Sequence, residues 1–108
     1  LLTGTLDFLG EPLQAYLQAD QLLAAQPEVR DGLLTGLLSA PHPYGSSKRD
    51  ILLRLAAEQG LALEACYAYA DHHTDVAFLE AVGHPVAVNP DRGLARVARK
   101  RGWGIEQW

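Results

Sequence analysis

The chain has 108 residues, with 13 acidic and 9 basic side chains and 48% hydrophobic residues, which fits one folded domain and excludes a disordered tail. A net charge of −4 argues against a general nucleic-acid partner, because such binding draws on clustered Lys and Arg. Asp, Gln, Glu or Pro breaks every apolar run before the ~18 residues that span a bilayer, so no membrane partner is expected.

The single cysteine, Cys66, excludes an internal disulfide framework and points to a reducing, cytoplasmic location. The opening residues Leu1-Leu2-Thr3-Gly4 lack the basic flank of a secretory signal. The absence of methionine and the apolar start lead us to expect the C-terminal portion of a longer chain.

Residues 1–6 read as the end of a strand entering a Gly turn. Helical spacing of Leu9, Leu13, Tyr16 and Leu17 predicts a helix from Asp7, with Pro12 comfortable only in its first turn. Arg30-Asp31-Gly32 between the apolar runs of residues 21–39 is a hairpin signal. Ala40 to Gly45 reads as a loop rich in Pro and Gly. Ser46 or Ser47 is then expected to cap a helix that ends at Gly60 and carries Ile51, Leu52, Leu55 and Ala56 on one face. A βαβ unit follows: a buried strand over 65–70, a helix over 75–82 and a strand over 85–88. A basic helix over 91–101 and a short strand over 103–108 close the chain. Strands alternating with helices predict an α/β fold with a parallel sheet.

The densest polar cluster is Asp71-His72-His73-Thr74-Asp75, beyond the carboxyl end of a strand, where open α/β sheets bind ligands. Two carboxylates four residues apart across such a turn suit Mg²⁺, which takes a few carboxylates plus water and phosphate oxygens. Helix capping by either Asp is the plainer alternative. Lys48, after Gly45-Ser46-Ser47 at a helix start, is placed to add charge for an anion, or to be an ordinary surface lysine. Thr3-Gly4-Thr5 offers a hydroxyl and backbone amides as a small cradle for phosphate oxygens.

The order of these pieces resembles the last three signature motifs of the haloacid-dehalogenase superfamily, most closely its phosphoserine-phosphatase-like branch. The resemblance rests on Tyr67-Ala68-Tyr69-Ala70-Asp71-His72-His73-Thr74-Asp75, on Leu79-Glu80-Ala81-Val82-Gly83-His84-Pro85-Val86-Ala87-Val88-Asn89-Pro90-Asp91, on Gly45-x-x-Lys48 and on Thr3-Gly4-Thr5. It implies a three-layer Rossmann-like parallel sheet, with residues 1–108 forming the C-terminal part of the core domain. It also implies Mg²⁺-dependent hydrolysis of a small phosphorylated substrate through an aspartyl-phosphate. In those terms Thr3 and Gly4 hold phosphate, Lys48 neutralises it and acts in catalysis, Asp71 ligates Mg²⁺, and Asp75 serves both the metal and catalysis. The family's nucleophile lies in an Asp-x-Asp strand, and these residues contain no Asp-x-Asp. The 108 residues alone are therefore expected to be inactive and to need the N-terminal half of the same fold as partner. In the family fold that strand lies between those carrying Thr3 and Asp71.

The remaining side chains read more plainly. His72 and His73 are adjacent, so on a regular element they point apart, which is poor geometry for zinc. Cys66 reads as core, and Arg92, Arg96, Arg99, Lys100 and Arg101 as a solvated helix face. A noncatalytic α/β interaction module descended from a phosphatase is the rival reading.

Overall fold

The computed structural model describes residues 1–108. Strand β1 (Leu2–Leu6) runs straight into helix α1 (Asp7–Leu17) and pairs in parallel with β2 (Leu23–Ala25). Gly4 therefore lies within a strand, not in the expected turn. A side chain there would come within 3.0 Å of His42 Cε1 and 3.3 Å of the Pro43 carbonyl oxygen, so glycine admits the loop that crosses it. In α1 the helical spacing holds, but Leu9, Leu13, Tyr16 and Leu17 are all exposed. The buried residue is Gly10, packed on Leu22. Pro12 sits inside the helix rather than in its first turn.

The apolar run of residues 21–39 divides between two pairings. Its first piece is β2, and the rest forms an antiparallel hairpin of β3 (Pro27–Arg30) and β4 (Leu33–Leu38). The hairpin turns at Asp31 and Gly32, with φ of 51° and 76°. Positive φ at both turn residues is what a tight hairpin needs to match strand twist, and Asp-Gly accommodates it. Helix α2 (Ser46–Gln59) follows, closed by Gly60 at φ 67°. Neither serine caps it. Ser47 Oγ instead accepts a bond from the Tyr44 amide at 2.8 Å and lies 2.6 Å from the His42 carbonyl, bracing the preceding loop.

The C-terminal half is a parallel sheet of β5 (Tyr67–Ala70), β6 (His84–Val88) and β7 (Gly104–Glu106), in the order β5-β6-β7. Helix α3 (Val76–Glu80) joins β5 to β6, and α4 (Arg92–Arg101) joins β6 to β7. The register pairs Ala68 with Pro85 and Ala70 with Ala87, placing these side chains on one face. Leu79 from α3 and Leu94 and Ala98 from α4 pack there, all fully buried, with Trp103 at the margin. Small alanines in the strands let both helices approach closely. Truncating a buried leucine such as Leu79 or Leu94 costs about 2–5 kcal/mol.

The strand over 65–70 is shorter than expected and buried on one face only. Tyr67 and Tyr69 point away from the alanine face and are 63% and 52% exposed. Cys66 is half-buried rather than core, its thiol 3.2 Å from the Ala62 carbonyl. The expected α/β architecture with parallel strands is present. Its hydrogen-bonded sheet is divided, because β1–β2 and β5–β6–β7 do not pair with each other.

Candidate active site

The site forms where β5 ends. Asp71 follows the last strand residue, Ala70, and is exposed. The chain then turns through one 3-10 turn, His73–Asp75, before α3 begins. The Asp75 amide donates to the His72 carbonyl at 3.0 Å, which aims the Asp75 carboxylate inward.

Asp75 occupies the N-cap position of α3, yet its side chain makes no capping bond. One oxygen, Oδ2, accepts from Lys48 Nζ at 2.8 Å, and the pair is nearly enclosed, with the side chains 8% and 16% exposed. The other, Oδ1, is buried without any hydrogen-bond partner. A buried carboxylate oxygen left unpaired carries its full desolvation cost, so such an atom calls for water or a cation beside it. Lys48 reaches this position from the first turn of α2, across 27 residues of chain. The glycine before that helix, Gly45, has φ 56° and sets the turn into it.

Thr3 and Gly4 lie in β1, and Thr3 Oγ1 accepts from the Thr5 amide at 3.1 Å. Strand pairing does not join this segment to β5. A groove of about 380 Å³ lies between the two, lined by Leu2, Leu23, Leu52, Tyr69 and Phe78 and bordered by Lys48 and Asp75. The structure thus joins Lys48 to Asp75, places Asp71 four residues before Asp75, and keeps Thr3 and Gly4 on the strand across the groove.

The geometry also involves Asp91, to which sequence reasoning assigned no role. Asp91 caps α4, accepting from the Leu94 amide at 2.7 Å. Its other oxygen accepts from His73 Nδ1 at 2.6 Å and lies 3.4 Å from His72 Nε2. The bond from Leu94, followed by that from His73, holds the Asp91 carboxyl well below the usual carboxylate range. The two imidazoles do not point apart: their ring centroids are 4.3 Å from each other, because the chain here is leaving a strand and turning. Asp91 directly before an amphipathic helix is a readable capping signal; its grasp of two histidines 18 and 19 residues earlier is not.

A metal fits one part of this arrangement on chemical grounds. Asp71 and the unpaired Oδ1 of Asp75 present hard oxygen donors at a strand end, the donor type that Mg²⁺ takes.

Residues 1–80 match the family model described as haloacid dehalogenase-like hydrolase. The chain belongs to that family. Among its relatives, the inhibition of morphological differentiation protein of Streptomyces azureus is 47% identical over 96 residues, covering 88% of this chain and 34% of that protein. A phosphoserine phosphatase of Mycobacterium tuberculosis is 37% identical over all 108 residues, or 35% of its own length. The crystal structure of a Bordetella pertussis Tohama I protein with unknown function superposes with a TM-score of 0.87 at 36% identity, covering 98% of this chain and 49% of that one. The resemblance to the phosphoserine-phosphatase-like branch read from the motifs is thus supported. The chain spans about a third of the length of the curated relatives it matches.

Proposed function

We infer that the chain supplies the phosphate- and metal-binding side of a Mg²⁺-dependent phosphomonoester hydrolase. The observation that carries this reading is the enclosed Lys48–Asp75 pair with Asp75 Oδ1 left unpaired at the end of a parallel strand. A purely structural ion pair has no need of an orphaned oxygen, whereas a site that gathers water and cation around phosphate does. The phosphatase name of the Mycobacterium tuberculosis relative points the same way.

In this reading Thr3 Oγ1 and the Gly4 amide hold the phosphoryl oxygens from β1. Lys48, fixed by Asp75, sets its ammonium toward the same phosphoryl group and offsets charge that develops in transfer. Asp71 and Asp75 hold Mg²⁺, which supplies charge neutralisation for phosphate when bound. The nucleophile belongs to an Asp-x-Asp strand seated between β1 and β5, where it forms and then releases an aspartyl-phosphate. No Asp-x-Asp occurs in these 108 residues, so the chain by itself does not turn over substrate. The substrate is a small phosphomonoester, and the place of action is the cytoplasm.

The test is hydrolysis of a chromogenic phosphomonoester by the protein at its natural length, with and without Mg²⁺, alongside the 108-residue chain. Metal-dependent turnover by the former, lost on Asp71→Asn, is the expected result. Turnover by the 108-residue chain that Asp71→Asn removes overturns the assignment of the nucleophile. No turnover by either protein favours the noncatalytic interaction module.

A further inference from the structure

The cluster of His72, His73 and Asp91 lies outside the phosphate-binding set, and its donors differ in kind. One ligand atom from each lies within 4.8 Å of the others. Two imidazole nitrogens and a carboxylate suit a borderline cation such as Zn²⁺ better than Mg²⁺, which prefers oxygen alone. We propose that His72, His73 and Asp91 form a second metal site, for Zn²⁺ or a similar divalent transition cation, just beyond the ends of β5 and β6.

The geometry supports this at several points. A tetrahedral zinc site with bonds of about 2.0–2.1 Å has ligand-to-ligand edges of about 3.3–3.4 Å. His72 Nε2 lies 3.4 Å from Asp91 Oδ2, at that edge length. His73 Nδ1 is closer, 2.6 Å, a hydrogen-bond distance; a cation binding there takes the place of that bond and the pair opens. His72 Nδ1 accepts from the Thr74 amide at 3.3 Å and lies 3.0 Å from Thr74 Oγ1, contacts that hold the ring with Nε2 toward Asp91. Asp91 Oδ1 accepts from the Leu94 amide at 2.7 Å, which fixes the carboxylate with Oδ2 turned to the two histidines. The seat for His73 is also built in, since a side chain on Gly93 would come within 2.8 Å of His73 Cβ. Both imidazoles are about half exposed, which leaves the remaining coordination positions to water.

The site is tied to the candidate active site by one backbone bond, from the Asp91 amide to the Asp71 carbonyl at 2.8 Å. Its existence does not depend on phosphatase activity, and its test reads binding alone.

Zn²⁺ is titrated against a chromogenic chelator, and Co²⁺ is followed by visible absorption, on the Asp71→Asn protein at its natural length. That variant weakens the carboxylate site and leaves the three ligands in place. The expected result is one equivalent of Zn²⁺ not displaced by excess Mg²⁺, and a tetrahedral Co²⁺ band. Adding His72→Ala or His73→Ala weakens binding at least about tenfold, as losing a supporting partner of a metal site does. Asp91→Asn keeps the cap, because Asn is equally good there, and also weakens binding. His42→Ala changes nothing. Undiminished binding after His72→Ala with His73→Ala, or no binding by the Asp71→Asn protein, overturns the proposal.

Discussion

Lys48 and Asp75 form a nearly enclosed ion pair, to which the proposed function also gives a chemical role. Bringing two charges out of water is expensive, and their attraction repays it only while both are present. Lys48→Met leaves the Asp75 carboxylate enclosed and unpaired, and we expect it to destabilise the fold by about 3–5 kcal/mol in urea unfolding. Lys48→Met with Asp75→Leu restores most of that loss. A double variant as unstable as the single one contradicts the account. In the protein at its natural length, Lys48→Ala lowers phosphomonoester turnover roughly 10²-fold or more, by analogy with removing one electrostatic contributor, whereas Arg96→Ala on the exposed face of α4 leaves it unchanged. Asp91 gives a prediction in pH. Its folded pKa is depressed, so its contribution is present above the ordinary carboxylate pKa and is lost only as pH falls through the lower folded value. In an NMR titration the Leu94 amide therefore keeps its capping signature as pH falls through the ordinary carboxylate range.

At the level of elements, glycines mark where backbones must touch. Gly83 precedes β6, and its amide donates to the Leu63 carbonyl at 2.9 Å. A Cβ there would fall 1.8 Å from the Glu64 carbonyl oxygen, which is backbone and cannot swing aside. Gly83→Ala must push the 3-10 turn Leu63–Ala65 away from β6, at about 1–3 kcal/mol or more, the range for overpacking. A lowered urea midpoint with the slope unchanged is the expected readout; an unchanged midpoint refutes the close contact. The helices divide into those the core holds and one it does not. Helix α4 buries Leu94, Ala95 and Ala98 and exposes its arginines, with Arg101 bonded to Glu80 at 2.6 Å. Helix α1 buries only Gly10, so its apolar residues stay in solvent.

At the level of the whole molecule, the divided sheet is the dominant feature. Strands β1 and β5 each have an unpaired edge toward the groove, and such edges pair readily with other chains. The apolar hairpin adds to this, with Leu33, Leu34 and Leu37 between 58% and 72% exposed. We expect the 108-residue chain by itself to melt broadly and to self-associate in sedimentation. A polypeptide carrying the Asp-x-Asp strand, added in trans, sharpens and raises the transition by filling the groove. A monomer with a sharp transition, indifferent to that addition, sinks this reading.

Local chemistry made much of this legible in the residues alone. Asp31-Gly32 sets the hairpin because few other pairs accept two positive φ angles, and Gly60 stops α2 for a related reason. The β5–α3–β6 unit follows from alternating period, and Asp71-x-x-x-Asp75 with Lys48 marks the candidate site by residue type. Other features depend on contacts between residues distant in the chain, which no local period encodes. Whether Leu9 and Leu13 are covered depends on what packs against α1. Tyr67 and Tyr69 are exposed because the sheet is open beside them. The burial of Asp75 comes from α2 folding over it, and the meeting of His72 and His73 on Asp91 comes from two strand ends lying side by side. Propensity acts within a few residues, whereas burial and convergence require the chain to have closed on itself.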